Sequence, residues 1–424
     1  MKILILGGGY GGLKCAITLQ NHFAKLRGSA QITLISKHDY HYQSTLLHKV
    51  AIGTYSARKA RIYFRKILDL RKIRFIKDTI RRIERDKVIG SYDEYDFDYL
   101  IIALGFKPNS FNIKGVNEFA FKLHSANSAL KIRAQIEQKF KDFKFRNDKN
   151  DLCFNICGSG FTGVEFATEL ANQSKELADI CGISRDLVQI NLVSKTPKVL
   201  PMFSDKLRDI AQSKLKNLGV NLINGEVIEV QKNGILVKSD LGADLSKDSY
   251  KDSSANLKEN PSESNEQIAH ISANTTIWCA GVKGNEVIGQ SEFKSHNDRI
   301  KVNEFLQIPR AEHIFVIGDC AIATQRDIIH APTAQLANQM GEFVALRLID
   351  LARGRKITTA FRFNHRGTVC SIGHTDGVGF VFKLSVWGEI AAFFKNMIEN
   401  KWILSIGGLK NVIKKGQFRF RSSS

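Results

Sequence analysis

The sequence predicts an α/β protein: two Rossmann-like dinucleotide-binding domains followed by a C-terminal amphipathic segment suited to docking on a membrane. Three observations carry this. An apolar strand at 3–6 runs into Gly7, Gly8, Gly9, Tyr10, Gly11 and Gly12, with glycine at the dinucleotide-binding positions 7, 9 and 12. The pattern recurs about 150 residues later as Gly158, Gly160 and Gly163 after another apolar strand. A third apolar run, 314–317, stops at Gly318 and Asp319, and a helix start follows within 331–341.

Taken in order, the strand at 3–6, the helix at 13–23 and the strand at 31–35 make a βαβ opening. The glycines allow a tight turn, close approach of a pyrophosphate and helix–strand packing. The acid that usually holds ribose after the second strand is replaced by Ser36 and Lys37, a hydroxyl and a cation. Residues 97–105 form another strand ending in glycine, and 114–149 read as mostly polar helix. The second unit opens at 152–156, with Glu165 and Glu169 on its helix and a strand at 189–193 that ends in Ser194 and Lys195. Residues 275–282 repeat the strand-to-glycine theme. The stretch near 240–269 is polar with few large apolar residues, and reads as a surface insertion in a hairpin.

After Asp319, Pro332 suits a first helical turn, where a missing N–H costs nothing. Gln335 and Gln339 are four apart, on one face. A helix N-terminus offers free N–H groups and partial positive charge, matched to the anionic edge of a reduced flavin. In 386–398 apolar residues recur at helical spacing, and in the tail beyond them apolar positions alternate with Lys410, Lys414, Lys415, Arg419 and Arg421, with Lys395 and Lys401 as further cations of the segment. That pattern suits an interfacial anchor on an anionic membrane; the competing reading is a helix packed on the core or on a second subunit, as in a homodimer.

The chain has 424 residues, enough for two or three domains, and 43% apolar residues, enough for sizeable cores. Its seven cysteines are scattered, with no Cys-x-x-Cys pair, which argues against a zinc site or a disulfide framework; no metal is expected. The net charge of +20 favours an anionic partner without choosing one. The first strand begins at the N-terminus, so no signal peptide is expected, and no apolar run is long enough to span a bilayer.

These features in this order resemble the type II NADH dehydrogenases, single-subunit NADH:quinone oxidoreductases. The likeness also rests on Tyr40, His41, Tyr42, Leu47, His48, Gly53 and Thr54, on the run 158–165, and on 200–203 (Leu, Pro, Met, Phe). It extends to Ala334, Gln335, Ala337 and Gln339, to 366–370 and to 376–379. The resemblance implies non-covalent FAD on residues 1–112 and 305–385, NADH on 113–304, and membrane anchoring by 386–424. It places FAD contacts at Gly7 to Gly11, Ser36, Lys37, Ile80, Asp319, Ala334, Gln335, Leu336, Ala337, Asn338 and Gln339, and a functional glutamate at Glu165 beside the two rings. Glu165 follows Gly163 by two and is expected in the first helical turn. Gln335, Gln339 and Ser405 are the expected quinone contacts, and a membrane quinone on the cytoplasmic face is the expected acceptor.

Two departures stand out. Ser194 replaces the acid expected to bind the NADH ribose, and Lys195 is able to attract a 2′-phosphate, so NADPH stays open as a donor. Ser405 stands where close family members carry a lysine. The competing readings are a sulfide:quinone oxidoreductase, for which Cys153 and Cys157 are poorly placed, and a DNA-binding flavoprotein like apoptosis-inducing factor. The cations lack the aromatic interleaving of a single-strand groove, so no nucleic-acid partner is expected.

Overall fold

A computed structural model describes residues 1–26, 30–240, 266–326 and 328–418. Each glycine loop belongs to its own parallel sheet. In the first sheet Lys2–Leu6 is flanked by Gln31–Ser36 and Ile73–Lys77 on one side. Tyr99–Ile102, Ala311–Val316 and an antiparallel edge, Gln307–Ile308, lie on the other. The second sheet runs Ala120–Lys122, Thr275–Trp278, Cys153–Cys157, Gln189–Ser194, Val220–Asn224, parallel throughout. Parallel strands are covered on both faces, hence the unbroken apolar runs; Ile3, Leu4, Ile5 and Leu6 are all buried.

The two loops turn alike. Gly7 has φ +102°, and a Cβ at Gly12 would lie 2.0 Å from the Gly7 carbonyl oxygen. Gly158 has φ +110°, and a Cβ at Gly163 would lie 1.8 Å from the Gly158 oxygen. Two glycines of each loop are thus consumed by the turn itself. The third, Gly9 or Gly160, has nothing within 4 Å of a Cβ and stays open to a ligand. The first loop's helix, Tyr10–Asn21, meets Ala334–Ala352 almost backbone to backbone: a Cβ at Gly341 would lie 2.2 Å from the Gly11 oxygen. The two units are stitched where their strands exit, Phe106–Pro108 pairing antiparallel with Val282–Gly284.

Gly234–Asp240 and Glu266–Ser272 pair antiparallel across the expected polar insertion, whose residues 241–265 lie outside the described ones. Gly367–Ile372, Asp376–Val381 and Leu384–Trp387 form a three-stranded antiparallel sheet. The sequence groups this sheet with the first unit, yet its Cys370, Ile372 and Val378 join the core of the second.

The C-terminal helix, Gly388–Lys415, packs its inner face into the core. Trp402, Ile403 and Ile406 are buried in the core of the first unit, and Ala391 packs on Val369 and Val381. The helix breaks at Gly408, where φ is 67°. Its end is tied back: the Tyr55 hydroxyl donates to the Lys415 carbonyl at 2.6 Å. The Lys415 ammonium donates to the Arg58, Lys59 and Arg61 carbonyls. Arg419 and Arg421 lie outside the described residues.

Candidate functional site

Both open glycines face one cavity of about 1630 Å³, larger than the roughly 300–1,000 Å³ of a single small-ligand site. Gly7, Gly8, Gly9, Tyr10, Gly11, Ser36, Lys37, Ile80, Asp319, Ala334 and Ala337 line it from the first unit, and Gly160 and Glu165 from the second. Gly12, Gly158 and Gly163 serve the turns behind it. Leu336 points into the core, and Asn338 does not line the cavity. Pro332 lies one residue before the cap rather than in the first turn, and Thr333 caps the helix: its hydroxyl accepts from the Leu336 N–H at 3.1 Å.

The cavity wall suits a flavin nucleotide. Burial pushes the Asp319 carboxyl up to about 6 against the pull of Arg299. Arg299 spends its guanidinium on the Asp319 and Ala321 carbonyls, at 2.9 and 2.7 Å, and so fixes the loop. Among the described residues no side chain or backbone group donates to the Asp319 carboxylate, and Asp319 lines the cavity. The first loop is also braced from the far end of the chain. The Trp402 indole N–H donates to His41 Nε2 at 3.0 Å, which leaves His41 Nδ1–H to donate to the Gly8 carbonyl at 3.1 Å. Burial holds His41 neutral, its pKa lowered to about 4.

Glu165 is not in the first helical turn. Its helix, Phe161–Cys181, starts at Phe161, so Glu165 is the fifth residue and reaches inward rather than complementing the helix end. Its Oε1 accepts from the Ser371 N–H and hydroxyl, both at 3.0 Å, and from the Lys395 ammonium at 2.9 Å. Burial alone would raise its pKa, but the Lys395 charge, with the hydrogen bonds from Lys395 and Ser371, outweighs it and holds the carboxylate ionised. Burial disfavours the Lys395 charge, yet Glu165 and Glu399 raise its pKa well above an ordinary lysine. His48 Nδ1 lies 3.5 Å from Glu165 Oε2. Burial lowers the His48 pKa to about 4, so this contact is dipolar, not ionic. Glu169, one turn on, is tied to Thr54 and to His374 at 3.3 Å away from the cavity, a structural role.

Lys395 lines the cavity although the sequence assigns it to membrane attraction, and Glu399, one turn on, acts on its charge. The signal was present: a Lys and a Glu four apart share a helix face with Ala391, Ala392 and Trp402, where bare charge does not belong.

The expected quinone contacts are placed differently. The Gln335 amide accepts from the Arg366 N–H at 3.0 Å and donates to the Gly367 carbonyl at 3.3 Å. The Gln339 amide makes the same double clamp on Asn364, 2.9 Å each way. Neither lines the cavity, because both side chains are consumed by the 364–367 strap. Ser405 is exposed, and its hydroxyl turns back to the Trp402 carbonyl at 2.8 Å. Ser194 bonds Ser159 at 2.5 Å and Thr196 at 3.1 Å, and Lys195 pairs with Glu226 at 2.8 Å. Cys153 and Cys157 do not form a redox pair. Burial raises the Cys153 thiol to about 11 and Cys157 further, so neither is a ready nucleophile.

Two glycine cradles on one cavity define an oxidoreductase with paired dinucleotide-binding units. The family model for pyridine nucleotide-disulphide oxidoreductases matches residues 1–338. Two solved structures share the fold. NDH2 of Plasmodium falciparum, in complex with NADH, aligns with a TM-score of 0.80 at 20% identity, over 98% of this chain and 97% of that one. The sulfide:quinone oxidoreductase of Aquifex aeolicus aligns at 0.73 and 19%, over 96% and 91%. The type II NADH:quinone oxidoreductases of Staphylococcus saprophyticus and Staphylococcus aureus are each 35% identical over 98% of both chains. The chain belongs to the type II NADH:quinone oxidoreductase family.

Proposed function

We propose that this chain oxidises NADH at a non-covalently held FAD and passes the electrons to a membrane quinone, working peripherally on the cytoplasmic face of the membrane. The observation that carries this reading is the meeting of Gly9 and Gly160 at one cavity whose wall holds the ionised Glu165. FAD, when bound, accepts a hydride and releases an electron pair. The protein's part is placement and charge. Asp319 and Ser36 offer acceptors for hydroxyls, and Gly9 admits a pyrophosphate. Glu165 offers a fixed negative charge between the two cradles, kept ionised by Lys395 and oriented by Ser371.

NADH is the favoured donor. Lys195, the cation able to attract a 2′-phosphate, is shared with Glu226, which stands beside the position of the missing acid. Gln335 and Gln339 act on the acceptor side by holding the strap that leads into His365 and Thr368 on the cavity wall.

Membrane docking falls to the outer face of the C-terminal helix. Ile390, Phe393, Met397, Leu404, Leu409 and Ile413 are exposed there, with Lys401, Lys410 and Lys414 beside them. Among the described residues no helix is long and apolar enough to cross a membrane. A homodimer through the same face is the competing use. Purified protein should release FAD on denaturation and oxidise NADH with a water-soluble quinone; colourless protein that takes up no added FAD overturns the reading.

A further inference from the structure

Glu399 lies one helical turn beyond Lys395 on the same buried face, and is 4% exposed. The Thr45 hydroxyl donates to its carboxylate at 2.9 Å, and with Glu399 protonated the same contact runs from the carboxyl O–H to the Thr45 oxygen. That hydroxyl is in turn 3.0 Å from the Tyr10 hydroxyl. Tyr10 and Thr45 both line the glycine-loop cavity. A carboxyl and two hydroxyls therefore stand in unbroken hydrogen-bond sequence from a buried acid to the cavity, each able to give and take a proton.

We propose that Glu399 stores the proton that quinone reduction consumes and delivers it through Thr45 and Tyr10 to a quinone oxygen in the cavity. This rests on the quinone-reductase reading above. The balance is simple. NADH and a quinone give NAD⁺ and a hydroquinone only with one proton more than the hydride supplies. The Glu399 O–H bond breaks as its proton passes to the Thr45 oxygen. The Thr45 proton passes to the Tyr10 oxygen, and the Tyr10 proton to the quinone. Thr45 and Tyr10 end unchanged, and Glu399 is left a carboxylate, refilled from water.

Local charge explains why Glu399 rather than Glu165 holds the proton. Both carboxylates face one ammonium, Lys395. Glu165 bonds it directly and also accepts twice from Ser371, so its anion is satisfied. Ionising Glu399 as well would bury two negative charges against one positive. Lys395, Thr45 and Lys49 favour the Glu399 anion, while Glu165 opposes it; burial above all raises the pKa of the neighbouring Tyr10 and Tyr55 hydroxyls, which therefore keep their protons. Burial outweighs these and holds the Glu399 pKa above the ordinary carboxylate value.

The test is anaerobic stopped flow in two halves on the flavin-loaded enzyme: reduction by NADH, then reoxidation by a short-chain benzoquinone. Glu399→Gln keeps the shape and loses the proton. Reoxidation should slow by at least about tenfold while reduction by NADH stays within about twofold. The wild-type rate should fall as pH rises through the raised Glu399 pKa, and the variant should lose that limb. Thr45→Val should slow reoxidation alike and Thr45→Ser should restore it, which decides the matter even if Glu399→Gln does not fold. Redox-difference infrared spectra should show a protonated-carboxyl band in wild type that Glu399→Gln lacks. Reoxidation of Glu399→Gln at the wild-type rate and pH profile, or equal rates for Thr45→Val and Thr45→Ser, overturns the relay. A wild-type enzyme that NADH reduces but quinone does not reoxidise overturns the quinone-reductase reading itself.

Discussion

The Lys395 ammonium and the Glu165 carboxylate are 2.9 Å apart in space and 230 residues apart in the chain. Glu165 stands on the helix after the second glycine loop and is buried; Lys395 stands on the last helix and is 14% exposed. Removing one partner of such a pair strands the other charge. Lys395→Met should therefore destabilise by about 3–5 kcal/mol, and Glu165→Gln combined with it should recover much of the loss. The pH dependence follows from the two shifts. The folded pKa of Glu165 is lowered, so its contribution is present above about pH 4.3 and is lost as pH falls through the folded value. The folded pKa of Lys395 is raised, so its contribution is present below about pH 10.4 and is lost as pH rises through the folded value. Denaturant titrations from acid to alkali should show that plateau in wild type and not in the double variant.

Trp402→Phe tests the brace on the first glycine loop. It keeps the ring and removes the N–H that His41 Nε2 accepts. A buried acceptor left without a donor costs about 1–3 kcal/mol. The melting temperature should drop, and flavin should be lost more readily on dilution. Unchanged flavin retention would limit Trp402 to packing.

Gln335→Ala and Gln339→Ala each delete two hydrogen bonds to the 364–367 strap. Each should lower stability by about 1–3 kcal/mol and raise the apparent KM for quinone together. A KM change with full thermal stability would instead point to direct contact between the amide and the quinone.

Coenzyme choice should answer to Lys195 and Glu226. Glu226→Gln frees the ammonium that now lies 2.8 Å from the carboxylate. Its kcat/KM for NADPH should rise several-fold with little change for NADH, and Lys195→Ala should abolish that gain. Parallel steady-state assays with both coenzymes measure it; identical ratios in all three proteins refute the assignment.

Cutting the chain before Val386 is the wrong test of membrane docking, because it would remove Glu399 and Trp402 from the interior and take Lys395 away from Glu165. Surface substitutions are cleaner. Phe393→Ser with Leu404→Ser, both exposed, should reduce flotation with anionic vesicles while NADH oxidation with a soluble acceptor persists. Equal flotation moves the docking face elsewhere.

Much of this was legible in the chain because it is local. A glycine loop between a strand and a helix is written in about 15 consecutive residues, since its turn and its packing depend on near neighbours. Both loops, the place of Asp319 just past a strand end and the position of Glu165 near the second loop are of that kind. The apolar runs also announced two parallel sheets, because strands covered on both faces need no polar alternation.

The rest depended on long-range contact, which no window of sequence contains. Lys395 and Lys415 look like Lys401 and Lys410 in the sequence, since all are lysines on one amphipathic stretch. Only the folded chain turns Lys395 inward to Glu165 and Lys415 onto backbone carbonyls, and leaves Lys401 and Lys410 in solvent. Gln335 and Gln339 share a helix face by period alone, but what that face meets is the 364–367 strap, brought there by the tertiary fold. The sequence determined the two cradles; the tertiary structure decided which charges are buried between them, because burial is a property of what the rest of the chain places around a side chain.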